Sequence, residues 1–394
     1  MLAVLRLPGV RSLFACSCLG RLSMGALGLL MILQTHELTG SFASGGLVAA
    51  SYTIALGASN PALARAVDRA GQTLVLRTGA VVSASAMAAF ATVGDVPVPA
   101  LMGIAAVAGA AQPPIGACMR SLWPVLAPDA DLRHAAYALE GAAGEIIYIL
   151  GPVVIVGVIG AWSLEAALLT CSATVLVGDW LFSFHPASRG WRPPALAERH
   201  LLGALRGPGV RVLIGAFALC GLAVGAVEVG VPATLEPLGK ESLTGLMLGL
   251  WGLGSLATSF LVARAGAAGN PPRRLTVLLL AWGATHAAIA LATGLLSLGA
   301  LLLLAGAAIS PVLVYANGML DQLAPAGTLA EAFTWTTTGL TAGIALGAAL
   351  AGVLADHASP ALALGLLGAG GFAAAAVVHA SAAGPLRPAV VAVR

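Results

Sequence analysis

The chain has 394 residues, of which 59% are hydrophobic and only 9% charged, for a net charge of +3 and a mean hydropathy of +0.96. A soluble domain carries roughly 25% charged residues, and a chain of this length could not hide so much apolar surface in water without a far larger polar shell. A soluble fold is excluded, and so is a nucleic-acid binder, because no basic stripe interleaved with aromatics is present.

Runs of Ala, Leu and Gly about 20 residues long match the ~30 Å hydrocarbon thickness at 1.5 Å rise per residue. Lipid offers the backbone no hydrogen-bond partner, so these runs are expected to be helices. In chain order they fall at 12–34, 42–64, 74–94, 98–126, 134–158, 161–183, 210–233, 243–263, 274–294, 297–323, 331–353 and 359–381. Thr39-Gly40-Ser41 closes the first, Val96-Pro97-Val98-Pro99 divides the third from the fourth, and Asn270-Pro271-Pro272 precedes the ninth. Hydrophobicity continues well past Cys16 and Cys18, so the first helix is expected to stay in the fold rather than be cleaved. The interval 184–209, with Pro186, Pro193, Pro194 and Pro208, reads as a cytoplasmic linker between halves 1–183 and 210–394, with room for an interfacial helix around Ala195–Leu205. Five cysteines, Cys16, Cys18, Cys118, Cys171 and Cys220, lie inside apolar runs and read as small buried hydrophobes, with neither a disulfide framework nor a metal site.

Arginine sets the orientation. With the amino terminus in the cytoplasm, that side collects Arg6, Arg11, Arg65, Arg69, Arg77, Arg133, Arg189, Arg192, Arg199, Arg206, Arg211, Arg264, Arg273, Arg274, Arg387 and Arg394, and the outside receives only Lys240. Twelve spans then leave both termini cytoplasmic.

The halves echo one another. Leu5-Arg6-Leu7-Pro8-Gly9-Val10-Arg11 recurs as Leu205-Arg206-Gly207-Pro208-Gly209-Val210-Arg211. At an offset of 197, Pro114, Pro128, Leu132 and Ala135 meet Pro311, Pro325, Leu329 and Ala332. Six helices repeated in the same orientation make a parallel repeat about an axis along the membrane normal, an architecture in which two bundles can rock about a central site.

At this point the chain resembles the major facilitator superfamily. That family's loop between the second and third helices carries a glycine, then Asp-Arg, a further glycine and basic residues. Here Asp68, Arg69 and Gly71 match, while Ala64 replaces the first glycine and Gln72-Thr73 the basic pair. The resemblance implies a cytoplasmic gate at Asp68, Arg69 and Gly71, where a glycine permits a tight turn and the charges can bridge while one state is closed. Export-type members carry a glycine-rich motif ending in Gly-Pro on the fifth helix, and Gly151-Pro152 matches that ending without its closing Gly-Gly. Small residues there favour close helix approach, and Pro152 frees a carbonyl that permits a bend. The expected fold is all-α integral membrane, with twelve transmembrane helices in two pseudo-symmetric six-helix bundles, in a bacterial inner membrane.

Charges inside the spans are costly unless they face the bundle interior, a cleft or one another. Arg21, Arg120, Glu140, Glu145, Glu228 and Asp179 are so placed. Depth pairs Arg21 with Glu145 and Arg120 with Glu140, although the partners could be exchanged, and makes Glu145 the leading proton-coupling carboxylate. Glu228 lies in the outer half of the seventh helix. Gln34, Tyr52, Gln112, Tyr148, Trp251, Tyr315, Asn317 and Trp335 supply a candidate lining of aromatic and neutral hydrogen-bonding groups, which suits an amphipathic organic solute. The seven histidines are scattered, mostly in loops or near helix ends, and give no catalytic or metal-binding spacing.

These features point to a secondary transporter, not an enzyme. No nucleotide-binding loop is present, so an ion gradient or the solute's own gradient would supply the energy. The expectation is proton-coupled export of a small amphipathic or lipophilic solute by a monomer, with protons and membrane lipids as its other partners and no cofactor. A proton symporter or facilitated uptake carrier, and a non-transporting membrane sensor or scaffold, are the alternatives.

Overall fold

A computed structural model describes residues 4–94, 96–127, 129–191, 203–265, 271–325 and 328–386. Among them every regular element is a helix. The α-helices are α1 (Val10–Arg21), α2 (Leu27–Thr39), α3 (Phe42–Ala70), α4 (Gln72–Thr92), α5 (Val98–Ala110), α6 (Ile115–Leu126), α7 (Ala130–Leu150), α8 (Leu164–Phe184), α9 (Pro186–Gly190), α10 (Pro208–Leu235), α11 (Thr244–Ala265), α12 (Pro271–Ala288), α13 (Leu295–Gly306), α14 (Ile309–Leu323), α15 (Leu329–His357), α16 (Pro360–Gly368) and α17 (Gly370–Ser381). Among the described residues, ten stretches are individually long and apolar enough to cross a bilayer. The fifth and eighth expected spans correspond to α7 with its apolar continuation, Ile146–Gly160, and to α11, so twelve spans are consistent with these helices. The interfacial helix expected around Ala195–Leu205 falls largely outside the described residues.

Several expected spans are broken where the sequence gives a reason. In the fourth, α5 stops before Gln112-Pro113-Pro114 and α6 begins after it, since consecutive prolines lack the N–H that a helix needs and force the preceding residue away from helical backbone. The tenth breaks likewise between α13 and α14, just ahead of Pro311. Pro114 and Pro311 are partners in the internal repeat, so the break itself is repeated. The first span bends through a 3-10 turn at Leu22–Gly25, whereas the corresponding part of α10 runs on unbroken.

The fifth span widens after α7 into a π-helical stretch, Gly151–Gly160, with Pro152 at its second position. A longer-range hydrogen-bond pattern accommodates the carbonyl that proline cannot satisfy. Gly151 also lets this turn meet the bend of the first span. A Cβ on Gly151 would lie 3.0 Å from Gly25 Cα, and one on Gly25 would lie 2.9 Å from the Ile147 carbonyl oxygen.

Two helix starts carry further devices. Gly71 is the single residue between α3 and α4, and its φ of 82° is the left-handed backbone that glycine adopts without steric cost. The first turn of α3 is capped from α15: Asp356 Oδ1 accepts the Phe42 N–H (3.0 Å), and Oδ2 accepts the Ala43 N–H (2.9 Å) and the Ser41 hydroxyl (2.6 Å). A carboxylate there satisfies orphan donors and complements the helix dipole.

The chain forms two compact units. One comprises Met1–Gly40, Ser51–Leu196 and Glu241–Gly249, and the other Ser41–Ala50, Ala197–Lys240 and Leu250–Arg394. In the first, Leu13, Phe14, Leu76, Trp123 and Phe182 pack in one buried cluster. In the second, Leu213, Phe217, Leu279, Trp282 and Leu320 do so.

Candidate functional site

In the first unit, α1, α6 and α7 converge on one carboxylate. Arg21 is the last residue of α1, Glu140 lies midway along α7, and Arg120 and Trp123, three apart on α6, share a helix face. Glu140 Oε1 sits 3.5 Å from Arg21 Nη1 and 3.4 Å from Arg120 Nη1, and its Oε2 accepts the Trp123 indole N–H at 2.9 Å. Glu140 is 5% exposed and Arg21 8%, whereas the Arg120 side chain is 57% exposed. The carboxylate therefore joins one enclosed guanidinium to one accessible guanidinium.

Neighbours hold each member in place. Arg21 donates from Nε to the Ser17 carbonyl (3.3 Å) and from Nη2 toward Cys18 Sγ (4.0 Å). The Trp123 ring packs at 6.3 Å from Phe14 inside the unit's core. Taking two guanidiniums and a carboxylate from water is costly, and only close mutual pairing with satisfied hydrogen bonds offsets it. With two guanidiniums and one carboxylate counted as ionised, the cluster carries a formal charge of +1.

Arg120 thus meets Glu140 as expected, and Arg21 meets the same residue, the exchange of partners that the sequence left open. The reason is directional: side chains on a helix lean toward its amino terminus, and the Ser17 hydrogen bond draws the Arg21 guanidinium back along α1. The backbone of Glu145 belongs to α7, while its side chain lies outside the described residues. Trp123 was missed by sequence reasoning, although its spacing from Arg120 was a usable signal.

Asp179 on α8 is fully buried, and neither carboxyl oxygen has a hydrogen-bond partner among the described residues. It lies against Gly20, where a Cβ would come within 2.9 Å of Oδ2. Sequence position marked it as an intramembrane charge without indicating this isolation.

The second unit carries a different cluster. His286 is fully buried on α12, stacked on Trp282 at 4.7 Å and 13°, with Trp251 of α11 edge-on at 6.0 Å and 82°. His286 Nδ1 lies 3.0 Å from the Trp282 carbonyl oxygen. The remaining ring nitrogens, Trp251 Nε1, Trp282 Nε1 and His286 Nε2, have no hydrogen-bond partner among the described residues. Reading the histidines as scattered overlooked this group, which the four-residue spacing of Trp282 and His286 could have disclosed.

The other expected residues occupy several places. Gln34 is buried and its Oε1 has no hydrogen-bond partner among the described residues, Tyr52 is buried against Gly109, Gln112 Oε1 accepts the Ser83 hydroxyl (3.2 Å), and Tyr148 is 58% exposed. In the second unit, Glu228 is half-buried and Asn317 exposed. Tyr315 accepts from Arg274 at 3.1 Å, and Trp335 donates to Glu331 at 3.2 Å. At the gate motif Arg69 is exposed beside the Gly71 turn, and the Asp68 side chain lies outside the described residues.

Comparison with known proteins places this arrangement. Residues 13–267 match the Major Facilitator Superfamily. No curated protein sequence matches the chain. Among solved structures, a peptide transporter POT in complex with sulfate is similar at 13% identity, covering 97% of this chain and 96% of that one, with a TM-score of 0.76. A POT family transporter in complex with a thioalcohol-conjugated peptide is similar at 12% identity, with coverages of 96% and 97% and a TM-score of 0.75. The nucleoside transporter NupG, in a mutant form, is similar at 15% identity, with coverages of 94% and 98% and a TM-score of 0.75. Those identities speak for the fold alone. With its helical, multi-pass architecture and a family match over most of its length, the chain belongs to the major facilitator superfamily of membrane transporters.

Proposed function

We propose that this protein is a monomeric proton-coupled exporter of a small amphipathic or lipophilic solute in a bacterial inner membrane, with both termini cytoplasmic. The observation that carries the reading is the position of Glu140 between enclosed Arg21 and accessible Arg120. Ionised, Glu140 holds both guanidiniums. Protonated, it gives up much of its attraction for Arg120, whose exposed head then offers donors to an electronegative group on the solute. Solute and proton thereby compete for one cluster, which is the requirement for antiport. Glu145, on the same helix, and Glu228 in the second half are the other carboxylates proposed for the proton path.

The halves 1–183 and 210–394, joined by the linker 184–209, rock about the central site in this reading. Asp68, Arg69 and Gly71 gate its cytoplasmic mouth, while Gly151 and Pro152 supply the bend on which the fifth span moves. The export direction draws support from the resemblance of Gly151-Pro152 to the exporter motif.

Protein in proteoliposomes, loaded with a solute found by thermal-shift screening, tests the proposal. An inward-acid pH gradient, set opposite to the direction of solute flux, should drive solute accumulation against its gradient. Accumulation in the same direction as the proton would replace antiport with symport. Solute exchange indifferent to the pH gradient would leave a facilitated carrier.

A further inference from the structure

The carboxylate of Asp356 stands at the wrong end of its own helix. It occupies the last turn of α15, where the helix carbonyls gather partial negative charge and a cation, not an anion, is stabilised. What offsets that local cost lies across the chain, at the start of α3. There the Phe42 and Ala43 N–H groups and the Ser41 hydroxyl all donate to Asp356, at 3.0, 2.9 and 2.6 Å. A residue placed against its local preference for the sake of a distant contact is a common sign of function.

The helix start does not depend on this partner. Ser41 Oγ already accepts the Ser44 N–H at 3.1 Å, as an ordinary helix cap does. Asp356 is exposed, so water can take over the Phe42 and Ala43 amides when the carboxylate leaves. The net strength of a contact exchanged for water is small, so it can break and re-form.

Beneath the contact the two helices meet closely. A Cβ on Gly352 would overlap the Phe42 carbonyl, and one on Gly46 would overlap the Ala348 carbonyl. Ala348, Gly352 and Asp356 recur at four-residue spacing, so one face of α15 carries both the small residues of this seam and the carboxylate that closes its end. Ser41–Ala50 accordingly belongs to the same compact unit as α15, while the rest of α3, from Ser51, belongs to the other.

We propose that Asp356 is a releasable latch, fastening the first turns of α3 to the end of α15 and keeping the seam between them shut. The inference rests on the rocking of halves 1–183 and 210–394 proposed above. Since α3 comes from one half and α15 from the other, the halves part at this seam only when the carboxylate lets go of Ser41, Phe42 and Ala43. The latch lies at the end of α3 opposite the Gly71 turn. With the termini cytoplasmic, that end faces outside, and its release opens the seam to the outer solution.

Ala345→Cys, at a buried position two turns inward of Gly352, supplies a reporter in the full chain. A membrane-impermeant maleimide is applied to intact cells expressing the protein and, separately, to inside-out vesicles made from them, and the label is located by peptide mass. Adding Asp356→Ala should raise labelling at position 345 from outside about fivefold, and Asp356→Asn, which keeps an acceptor oxygen without the charge, about twofold. Unchanged labelling from both sides would overturn the latch and leave the proposed topology standing. A rise seen only from the cytoplasmic side would support the latch and overturn the topology instead. Buried Cys220, in the same unit, reports general loosening. If its labelling rises in step with that at position 345, the substitutions loosen the whole unit and the latch is overturned. Asp356→Asn carries the test alone should the alanine variant fail to fold.

Discussion

The interiors of the two units solve different problems. In the first, Arg21, Arg120 and Glu140 form a charged cluster, closed on one oxygen by the Trp123 indole. In the second, His286 lies between Trp282 and Trp251, and three ring nitrogens find no partner among the described residues. The backbones differ too, since the first span breaks at Leu22–Gly25 while α10 continues through the equivalent turn. An internal repeat thus preserves helix starts and the proline break of its fourth member while its buried chemistry diverges. Charge pairing organises the buried cluster of the first unit, and aromatic packing that of the second.

The largest expected effect on that contrast comes from Glu140→Ala, which leaves two guanidiniums facing each other without their carboxylate and should destabilise the protein by about 3–5 kcal/mol. A loss below about 1 kcal/mol in a reversible unfolding titration would mean that the cluster is solvated like an ordinary surface pair. Trp123→Phe keeps a ring against Phe14 but removes the donor to Glu140 Oε2, for an expected cost of about 1.5–3 kcal/mol. Gly151→Ala places a Cβ against the backbone of Gly25 and should cost about 1–2 kcal/mol, whereas no change in melting temperature would show that the bend and the π-helical turn are not packed together. The smallest effect is expected in the second unit. His286→Phe retains the stack on Trp282 and exchanges a partly unsatisfied ring for an apolar one, so stability should move by less than about 1 kcal/mol and proton-driven transport should persist. A strong loss of proton coupling in that variant would break the contrast between the units.

Much of the fold was legible because hydrocarbon thickness and backbone satisfaction leave a long apolar run few alternatives to a helix. The start of α12 at Pro271-Pro272 follows from the fixed φ of proline, and the Gly71 turn from the positive φ that glycine tolerates. The bend at Leu22–Gly25 was not legible, since Ser23 and Met24 carry no breaking signal and the bend is matched to Gly151 far along the chain. The Arg120–Glu140 pair was readable from depth on neighbouring helices joined by a short loop. For Arg21 depth left the partner open, and its contact with Glu140 follows from the lean of the side chain toward its helix amino terminus. Asp356 was invisible as a cap, since its partners at Ser41, Phe42 and Ala43 are more than 300 residues away.

The central claim is that Glu140 carries the exchangeable proton, and Glu140→Gln in proteoliposomes tests it most directly. Glutamine keeps the volume and can still accept the Trp123 N–H, so the protein should fold, and solute should still exchange down its own gradient. With the site fixed as neutral, accumulation driven by a pH gradient should be lost. Full pH-driven accumulation in Glu140→Gln, measured beside wild type in the same vesicles, would contradict the account and move the proton to Glu145 or Glu228.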